Sequence, residues 1–266
     1  MLYAVCAAAS ARAQAFLPED NLAYPVQVLV SGGGGSGFFV RRDRELFLVT
    51  AGHVVFDQHT WTPHASEATL RALSKDPKET AVTVLHLNVA QLLDAKEIRT
   101  DQRRDVTIVR LGALTRDGVN TTPGVVITEK SRGGMIVASF ENLSRYSEVN
   151  VSSQVFMLGY PSIGVEGSPQ IDYARPLVRG GIVAGLNAAL KTIIIDAPIN
   201  HGNSGGPVVQ LSRTNRLRII GIATQYVPAP EDSIPSRTSA STLVLGNSGY
   251  GVVASADAII ELIAEF

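Results

Sequence analysis

The sequence predicts an all-β protein of two six-stranded antiparallel barrels, followed by one C-terminal α-helix. Short apolar and β-branched segments recur along the chain, separated by Gly, Pro, Asn and Asp, as is typical of strands joined by turns. Residues 126–149 interrupt this pattern and divide the chain into two β-rich halves. With 266 residues, 45% of them hydrophobic and 18% charged, the chain has enough apolar material for two small domains that share a core.

The first half, residues 16–125, is predicted to form the N-terminal barrel. Residues 57–78 contain Pro63, Pro77 and charges of both signs, which indicates a surface insertion. The clearest strands of this half are predicted at 26–30, 37–40, 46–50, 81–87 and 106–111.

The second half, residues 150–254, is predicted to form the C-terminal barrel, with residues 126–149 as the linker between the barrels. The spacing of the apolar segments favours a barrel over alternating strands and helices. The strands of this half are predicted at 154–159, 177–184, 192–196, 208–211, 218–224 and 251–254.

Residues 255–266 are predicted to form the C-terminal helix. Ser255 is a suitable N-cap, and Ala258, Ile259, Leu262 and Ile263 then repeat at helical spacing.

Residues 1–15 are predicted to be a signal peptide, so the protein is expected to be secreted or periplasmic. An apolar run over residues 2–9 precedes Ala13-Gln14-Ala15, the small-x-small pattern that signal peptidase prefers. Cleavage after Ala15 would remove Cys6, the one cysteine, and the fold would then stand without disulfides. The apolar run is too short to span a hydrocarbon core of about 30 Å, so no stable membrane anchor is expected.

The composition favours no nucleic-acid or anionic-membrane partner, because 23 basic and 24 acidic residues leave a formal net charge of −1. No metal-ligand cluster is visible, and no cofactor is predicted. Residues 32–37 contain the pattern Gly-x-Gly-x-x-Gly, but residues 38–40 indicate a strand where a dinucleotide site needs a helix. The match is therefore attributed to chance. The oligomeric state is not predicted.

The sharpest chemical signal is the segment 200–207, Asn-His-Gly-Asn-Ser-Gly-Gly-Pro, between two apolar strands. A serine hydroxyl is a weak nucleophile and needs a neighbouring base and donors for an oxyanion. A tight turn can aim the backbone N–H groups of Gly202 and Ser204 at one point, and glycine at 202 lets the backbone bend sharply. The alternative is a glycine-rich β-turn with a solvated serine.

The pattern Gly202-x-Ser204-x-Gly206 also matches the nucleophile elbow of α/β-hydrolases. That fold places its histidine after the serine. All five histidines, at positions 53, 59, 64, 86 and 201, precede Ser204, and no strand-to-helix turn follows it. The α/β-hydrolase interpretation is excluded.

His53, at the end of the apolar segment 48–55, is the candidate base. The small residues before it leave room for the ring to face a cleft. A single histidine is more often structural, and that is the interpretation of His59, His64 and His86. His201 is expected to line the cleft.

Asp105, at the start of the segment 106–111, is the candidate that orients the base, because a histidine that accepts a proton needs its other nitrogen held by an acceptor. Taken alone, Asp105 is better explained as a strand-end charge paired with Arg103 or Arg104. The order His, Asp, Ser along the chain favours the catalytic interpretation.

Several ordered blocks between residues 24 and 266 resemble trypsin-like serine proteases, most closely the bacterial HtrA/Deg branch. The signature blocks are Thr-Ala-Gly-His at 50–53, Asp-Val-Thr-Ile-Val-Arg-Leu at 105–111 and Gly-Asn-Ser-Gly-Gly-Pro at 202–207. Further similar segments lie at 35–40, 181–184, 195–200 and 251–253.

The resemblance implies a chymotrypsin-like fold and a serine endopeptidase acting on proteins or peptides through an acyl-enzyme. It implies a triad of His53, Asp105 and Ser204, with the N–H groups of Gly202 and Ser204 as the oxyanion hole. By family position, the primary pocket is lined by Pro198, Ile199, Asn200, His201, Thr224 and Gly251.

No acidic residue stands where trypsin holds the aspartate of its primary pocket. A buried Lys or Arg of the substrate would lack a partner there, at roughly several kcal/mol. A preference for small or medium apolar residues before the scissile bond, such as Val, Ala or Leu, is therefore expected.

Two departures from the family limit what carries over. Asn203 is neutral where animal trypsins have an aspartate, so the trypsin zymogen switch is not expected. The chain ends at Phe266 without the PDZ domains usual in HtrA proteins, so peptide-triggered activation is not assumed. The alternatives that stay open are a catalytically silent or latent module that binds peptides or partner proteins, and an esterase on the same scaffold.

Overall fold

A computed structural model describes residues 22–116, 118–161, 170–211, 217–231 and 244–266. The predicted signal peptide, residues 1–15 with Cys6, lies outside the described residues. Within the described ranges, no helix has the length and apolar character needed to span a bilayer.

The first half of the chain forms a ten-stranded sheet that curves as a half-barrel. Its main path has the order β6-β7-β3-β2-β1-β4-β5-β9, while β8 pairs with β7 and β10 pairs with β2. The strands are β1 (Pro25–Val30), β2 (Gly33–Arg42), β3 (Glu45–Ala51), β4 (Glu67–Leu73), β5 (Val82–Asn88), β6 (Ile98–Asp101), β7 (Val106–Thr115), β8 (Gly118–Thr121), β9 (Val125–Glu129) and β10 (Ala138–Ser139).

The second half forms a closed antiparallel barrel in the order β11-β12-β13-β16-β15-β14. Alternate residues of its strands fill the interior, among them Val155, Met157, Val183, Ile193 and Ile195. The strands are β11 (Gln154–Gly159), β12 (Leu177–Asn187), β13 (Thr192–Asp196), β14 (Pro207–Leu211), β15 (Leu217–Glu231) and β16 (Val244–Ser255).

The predicted all-β, chymotrypsin-like architecture is confirmed, with one difference in the first half. That half forms a ten-stranded sheet whose main path of eight strands is open, where a six-stranded barrel was expected. The extra pairings come mainly from short strands such as β6, β8 and β10. Strand β10 also pairs with β2 in parallel, so this sheet is not wholly antiparallel.

Strand β4 lies within the segment that was predicted to be a surface insertion, and this part of the prediction is wrong. In the sheet, β4 lies between β1 and β5, and its residues Ala68, Leu70 and Ala72 are buried. The alternation of small or apolar residues with polar ones is present in the sequence, but prolines and charges on both sides obscure it. The N-terminal core therefore includes a strand from this region.

Strands β9 and β10 fall in or next to the predicted linker, residues 126–149. They pair with β5 and β2 and so extend the N-terminal sheet. The division of the chain at 125 and 149 stays a prediction.

The predicted C-terminal helix is confirmed as α3 (Ala256–Ile263), with Ser255 as its N-cap residue. The Ser255 side chain makes no capping bond; its hydroxyl lies 3.5 Å from Asp257 Oδ2. Two further helices, α1 (Gly52–Val55) and α2 (Val89–Asp94), are short.

Helix α3 ties the two halves together. Ile259 and Ile263 lie in the same apolar cluster as the N-terminal sheet, and each such fully buried side chain contributes about 1.5–3 kcal/mol. On the polar side of the helix, Glu261 pairs with Arg104 of the first half and with Lys191 of the second. The seam between the halves is therefore a packed interface, and the candidate site lies along it.

Candidate active site

His53 lies on α1, the single helical turn that follows the buried strand β3. Its ring Nδ1 donates to Asp105 Oδ2 at 2.6 Å, and its backbone N–H donates to Asp105 Oδ1 at 2.8 Å. Both oxygens of the Asp105 carboxylate therefore accept a hydrogen bond from His53. With Nδ1 donating to a carboxylate, the neutral ring keeps Nε2 as an acceptor.

Asp105 is 7% exposed and adopts a left-handed backbone conformation with φ of 58°. Its carbonyl accepts a hydrogen bond from Gly52 N–H at 2.9 Å, which fixes it against the start of α1. Among the described residues neither Arg103 nor Arg104 pairs with Asp105; Arg104 pairs instead with Asp101 and Glu261. The strand-end ion pair considered from the sequence is therefore not formed.

Gly52 permits a close approach beside the His53–Asp105 pair. A Cβ at this position would lie 2.8 Å from Asp105 Oδ1 and 2.8 Å from Trp61 Cζ3. Trp61 also packs against Phe56, with ring centroids 6.4 Å apart. The space that any other residue would use at position 52 is thus filled by the tryptophan ring and the carboxylate.

Ser204 lies in a loop, here called the serine loop (residues 200–206), of which residues 202–206 are buried. Strand β2 anchors it, because the Ser36 hydroxyl donates to Gly202 O at 2.7 Å and the Ser36 N–H donates to Ser204 O at 2.8 Å. On the other side, Gly205 N–H donates to Ala223 O at 2.7 Å. Both halves of the molecule therefore hold the loop.

The backbone N–H groups of Gly202 and Ser204 have no acceptor among the described residues. Both residues are buried, and Gly202 has φ of 85°. Unpaired buried N–H groups are rare in folded proteins. Two of them, two residues apart in one tight loop, form a suitable binding site for an oxyanion.

The Ser204 hydroxyl donates to the carbonyl of Thr224 at 3.3 Å, and no hydrogen bond joins it to His53 within the described residues. The pairing of β15 with β16 shifts register between Ala223 and Gln225, so Thr224 lies in a bulge. Its hydroxyl donates to Val252 O at 3.1 Å, which keeps the bulge on β16. Bulges often re-aim groups next to active sites, and here the bulged carbonyl faces Ser204.

One cavity of about 320 Å³ is lined by both His53 and Ser204. Its other walls come from the β1–β2 hairpin, from Tyr160 and from His201 and Gly202 of the serine loop. Burial raises the pKa of Tyr160, against the smaller effect of Arg71 and Arg175. The Tyr160 side chain, which forms part of the cavity wall, is therefore a neutral phenol.

The residues predicted to line the primary pocket are partly brought together. Ile199 lies against Gly251, where a Cβ would be 2.7 Å from Ile199 Cδ1. The side chain of Asn247 donates to Ile199 O at 2.7 Å and ties this segment to β16. Ile199 is 2% exposed and packs in the apolar interior of the second barrel, next to Gly251.

The other predicted pocket residues have different positions. Pro198 and Asn200 are half-buried on either side of Ile199. Asn200 accepts a backbone hydrogen bond from Asn203 at 3.0 Å, so its carbonyl shapes the serine loop. His201 is exposed and meets Tyr226 edge-on at 6.5 Å, which places the pair at the rim of the cleft.

Three residues of the site were not singled out from the sequence. Ser36 contacts the serine loop, and Trp61 lies next to Gly52 and Asp105. Asn247 donates a hydrogen bond to the Ile199 carbonyl. Ser36 belongs to the segment 35–40, which resembles a strand of the HtrA/Deg branch, but its hydrogen-bond partner Gly202 is 166 positions away in the chain. Only the folded chain brings these groups together.

No group of three or more His, Cys, Asp or Glu side chains suited to a metal ion occurs in the part of the chain that the structure describes. The chemistry that the site offers is that of a serine hydroxyl, an oriented imidazole and paired backbone donors.

Comparison with known proteins gives a family match over most of the chain. Residues 35–222 match the family described as the trypsin-like peptidase domain. Serine protease HTRA1 of Xenopus laevis is 25% identical over 201 residues, which cover 75% of this chain and 33% of that protein. Serine protease HTRA1 of Xenopus tropicalis matches to the same extent. The chain thus spans about a third (33%) of the length of these curated relatives.

This chain resembles the solved structures of two proteins. The Rv3671c protease in its inactive form, from M. tuberculosis, aligns with a TM-score of 0.46 and 15% identity, over 92% of this chain and 89% of that one. Deg5 aligns with a TM-score of 0.49 and 16% identity, over 91% of this chain and 88% of that one.

Proposed function

Because the chain belongs to the trypsin-like peptidase domain family, we propose that it is a serine endopeptidase with Ser204 as nucleophile, His53 as general base and Asp105 as the residue that orients the base. The observation that carries this proposal is the two-point contact of Asp105 with His53 on the wall of a cavity that Ser204 also lines. The substrates are proteins or peptides.

The reaction begins when the Ser204 hydroxyl leaves the Thr224 carbonyl and donates to His53 Nε2. His53 takes the proton as Ser204 attacks the scissile carbonyl, and the Asp105 carboxylate stabilises the resulting imidazolium. The N–H groups of Gly202 and Ser204 donate to the oxyanion, and each such donor is worth about 10²–10³ in kcat.

Collapse of the tetrahedral intermediate moves the proton from His53 to the departing amine. The acyl group stays on Ser204. Water then enters the cleft, loses a proton to His53 and hydrolyses the ester, which regenerates the free serine. No cofactor takes part in this sequence.

The expected preference is for small or medium apolar residues before the scissile bond. Ile199 fills space next to Gly251, and this contact supports a primary pocket with an apolar and shallow floor. The six residues proposed to line the pocket include no Asp or Glu, and a Lys or Arg in it would lack a counter-charge.

The test is labelling with a fluorophosphonate probe, read beside peptide hydrolysis. Wild-type protein is expected to label and to cleave peptides, while Ser204→Ala keeps the same thermal midpoint and does neither. A folded wild-type protein that never labels would instead indicate a silent peptide-binding module. Turnover of matched ester and amide substrates separates a peptidase from an esterase.

Export through a signal peptide at residues 1–15 is a separate proposal, since it rests on the sequence pattern alone. Expression of the full chain followed by N-terminal sequencing of the exported fraction tests it. A mature terminus at Phe16 supports export, and full-length protein retained in the cytoplasm argues against it.

A further inference from the structure

We propose that Ser36 is a positioning residue for the oxyanion hole, acting through the peptide unit between Gly202 and Asn203. The proposal rests on the function given above, but its contacts are independent of the triad. Ser36 lies on β2 of the half-barrel and has no solvent exposure (0%). It therefore meets no substrate directly.

Ser36 makes hydrogen bonds through every one of its polar groups. Its hydroxyl donates to Gly202 O at 2.7 Å and accepts from Tyr160 N–H at 2.9 Å. Its backbone N–H donates to Ser204 O at 2.8 Å, and its carbonyl accepts from the Thr50 hydroxyl at 2.7 Å. One buried residue thus joins β2 and β3 to the serine loop and to the end of β11.

The peptide unit that Ser36 holds lies between the two units that carry the oxyanion donors. Gly202 N–H belongs to the preceding peptide unit and Ser204 N–H to the following one. The central unit is fixed at both ends, since its carbonyl accepts from Ser36 and its N–H, that of Asn203, donates to Asn200 O at 3.0 Å. Rotation of either donor unit is therefore limited by this fixed centre.

Glycine at 202 makes such a restraint necessary. Glycine adopts positive and negative φ with similar ease, so the φ of 85° observed here is not enforced by the residue itself. Without the Ser36 hydroxyl, the buried carbonyl of Gly202 would lack its partner, and an unpaired buried carbonyl favours reorientation. Reorientation of this central unit would remove the restraint on the preceding unit, which could then turn its N–H, that of Gly202, away from the oxyanion position.

The test compares Ser36→Ala with Thr83→Val in the full chain. Thr83 is a matched control, because its buried hydroxyl also accepts a backbone N–H, that of Ser131 at 3.1 Å, and contacts the Ser131 hydroxyl at 3.1 Å. It has no contact with the serine loop. Both variants lose one buried hydroxyl, but only one of them releases Gly202.

For Ser36→Ala we expect kcat to fall by roughly 10- to 100-fold with KM within about twofold, somewhat less than the loss of a whole oxyanion donor. Affinity for a peptide aldehyde, whose adduct places an oxyanion in the hole, should fall by a similar factor, while affinity for the product peptide stays unchanged. Thr83→Val should keep wild-type kcat. Ser36→Cys retains a weak donor and should lie between alanine and wild type.

Amide hydrogen exchange gives a readout that does not need activity. In Ser36→Ala, exchange across residues 200–206 should accelerate more than in Thr83→Val. The reason is that the peptide unit that carries the Asn203 N–H loses the hydrogen bond to its carbonyl. If Ser36→Ala fails to fold, the same measurements on Ser36→Cys test whether Ser36 positions the oxyanion hole.

The outcomes separate this inference from the proposed function. A wild-type protein without activity or labelling would contradict the peptidase proposal. Amide hydrogen exchange at residues 200–206 would then still test whether Ser36 holds the serine loop. An active wild type whose Ser36→Ala variant keeps its kcat, or loses no more than Thr83→Val, overturns the role of Ser36 alone. A matching loss of kcat and of product-peptide affinity would also overturn it.

Discussion

The Ser204 hydroxyl donates to the backbone carbonyl of Thr224, a residue that lies in a bulge of β15. The rest of the candidate site is already arranged, since His53 is paired with Asp105 and the N–H groups of Gly202 and Ser204 are unpaired within the described residues. In the proposed reaction, the Ser204 hydroxyl must leave the Thr224 carbonyl before it can donate to His53 Nε2.

Asp105→Asn is expected to lower kcat by about 10⁴ while the fold is retained. The amide has one acceptor oxygen and cannot accept from both the Nδ1–H and the backbone N–H of His53, so the ring would turn or take the wrong tautomer. Steady-state kinetics and a thermal melt measure the two effects. Asp101→Asn is the control, because Asp101 pairs with Arg104 and has no contact with His53. A kcat of Asp105→Asn within tenfold of wild type would contradict the assigned role.

Gly52→Ala is expected to reduce kcat strongly. The new Cβ would lie 2.8 Å from both Asp105 Oδ1 and Trp61 Cζ3, so the carboxylate or the indole must move. Because Trp61 is the one tryptophan of the chain, its fluorescence reports the displacement directly. The control is Gly180→Ala, whose Cβ would meet nothing closer than 3.8 Å. Unchanged kinetics and fluorescence in Gly52→Ala would mean that the close packing is not needed.

Ile199→Ala is expected to shift the preferred residue before the scissile bond from Val or Ala toward Leu, Met or Phe. Removal of the side chain opens space next to Gly251, and a larger apolar side chain can fill it. One methylene in an apolar pocket is worth about 1–3 kcal/mol, so discrimination should change by roughly 10- to 200-fold. A library of peptides that differ at this residue measures kcat/KM.

The control for the pocket is Ile194→Ala, at a half-buried position of β13 between the barrel-interior residues Ile193 and Ile195. Its specificity should match wild type. If Ile199→Ala keeps the wild-type preference, Ile199 does not form the floor of the primary pocket.

Much of the fold was predictable because strands such as β3 and β7 consist mainly of apolar residues. Strand β4 was not recognised, since its alternation is short and lies between Pro63 and Pro77. The half-barrel also gained strands of two to five residues, which are too short to give a periodic signal: β10 (Ala138–Ser139), β6 (Ile98–Asp101) and β9 (Val125–Glu129).

For the candidate site, His53, Asp105 and Ser204 could be proposed from the sequence because each occupies a short motif next to an apolar segment. The residues that hold them in place were not found, because their contacts depend on three-dimensional proximity. Ser36 meets Tyr160 across 124 positions of the chain. Likewise, the bulge at Thr224 follows from a register shift between two strands, which no single strand reveals.

Asp257 is expected to make the fold less stable in acid. Burial raises the pKa of its carboxyl group, but hydrogen bonds from Tyr146 N–H at 2.6 Å and from Lys191 Nζ at 3.2 Å outweigh this and hold the pKa below its usual value. A group whose pKa is depressed in the folded state stabilises the fold above its unfolded pKa, about 3.9 for Asp. That stabilisation is lost as the pH falls below about 4 and through the folded-state pKa.

Asp257→Asn should therefore lower the free energy of unfolding by about 1.5–3 kcal/mol at pH 7, the usual range for a hydrogen bond to a charged group. The difference between variant and wild type should shrink as the pH falls below about 4, because the wild-type carboxyl is then neutral as well. Urea unfolding at several pH values measures it, with Asp172→Asn, which removes an exposed ion pair with Arg175, as the control. A difference that stays constant from pH 7 to pH 3 would show that the charge of Asp257 does not hold α3 against the segment that carries Tyr146.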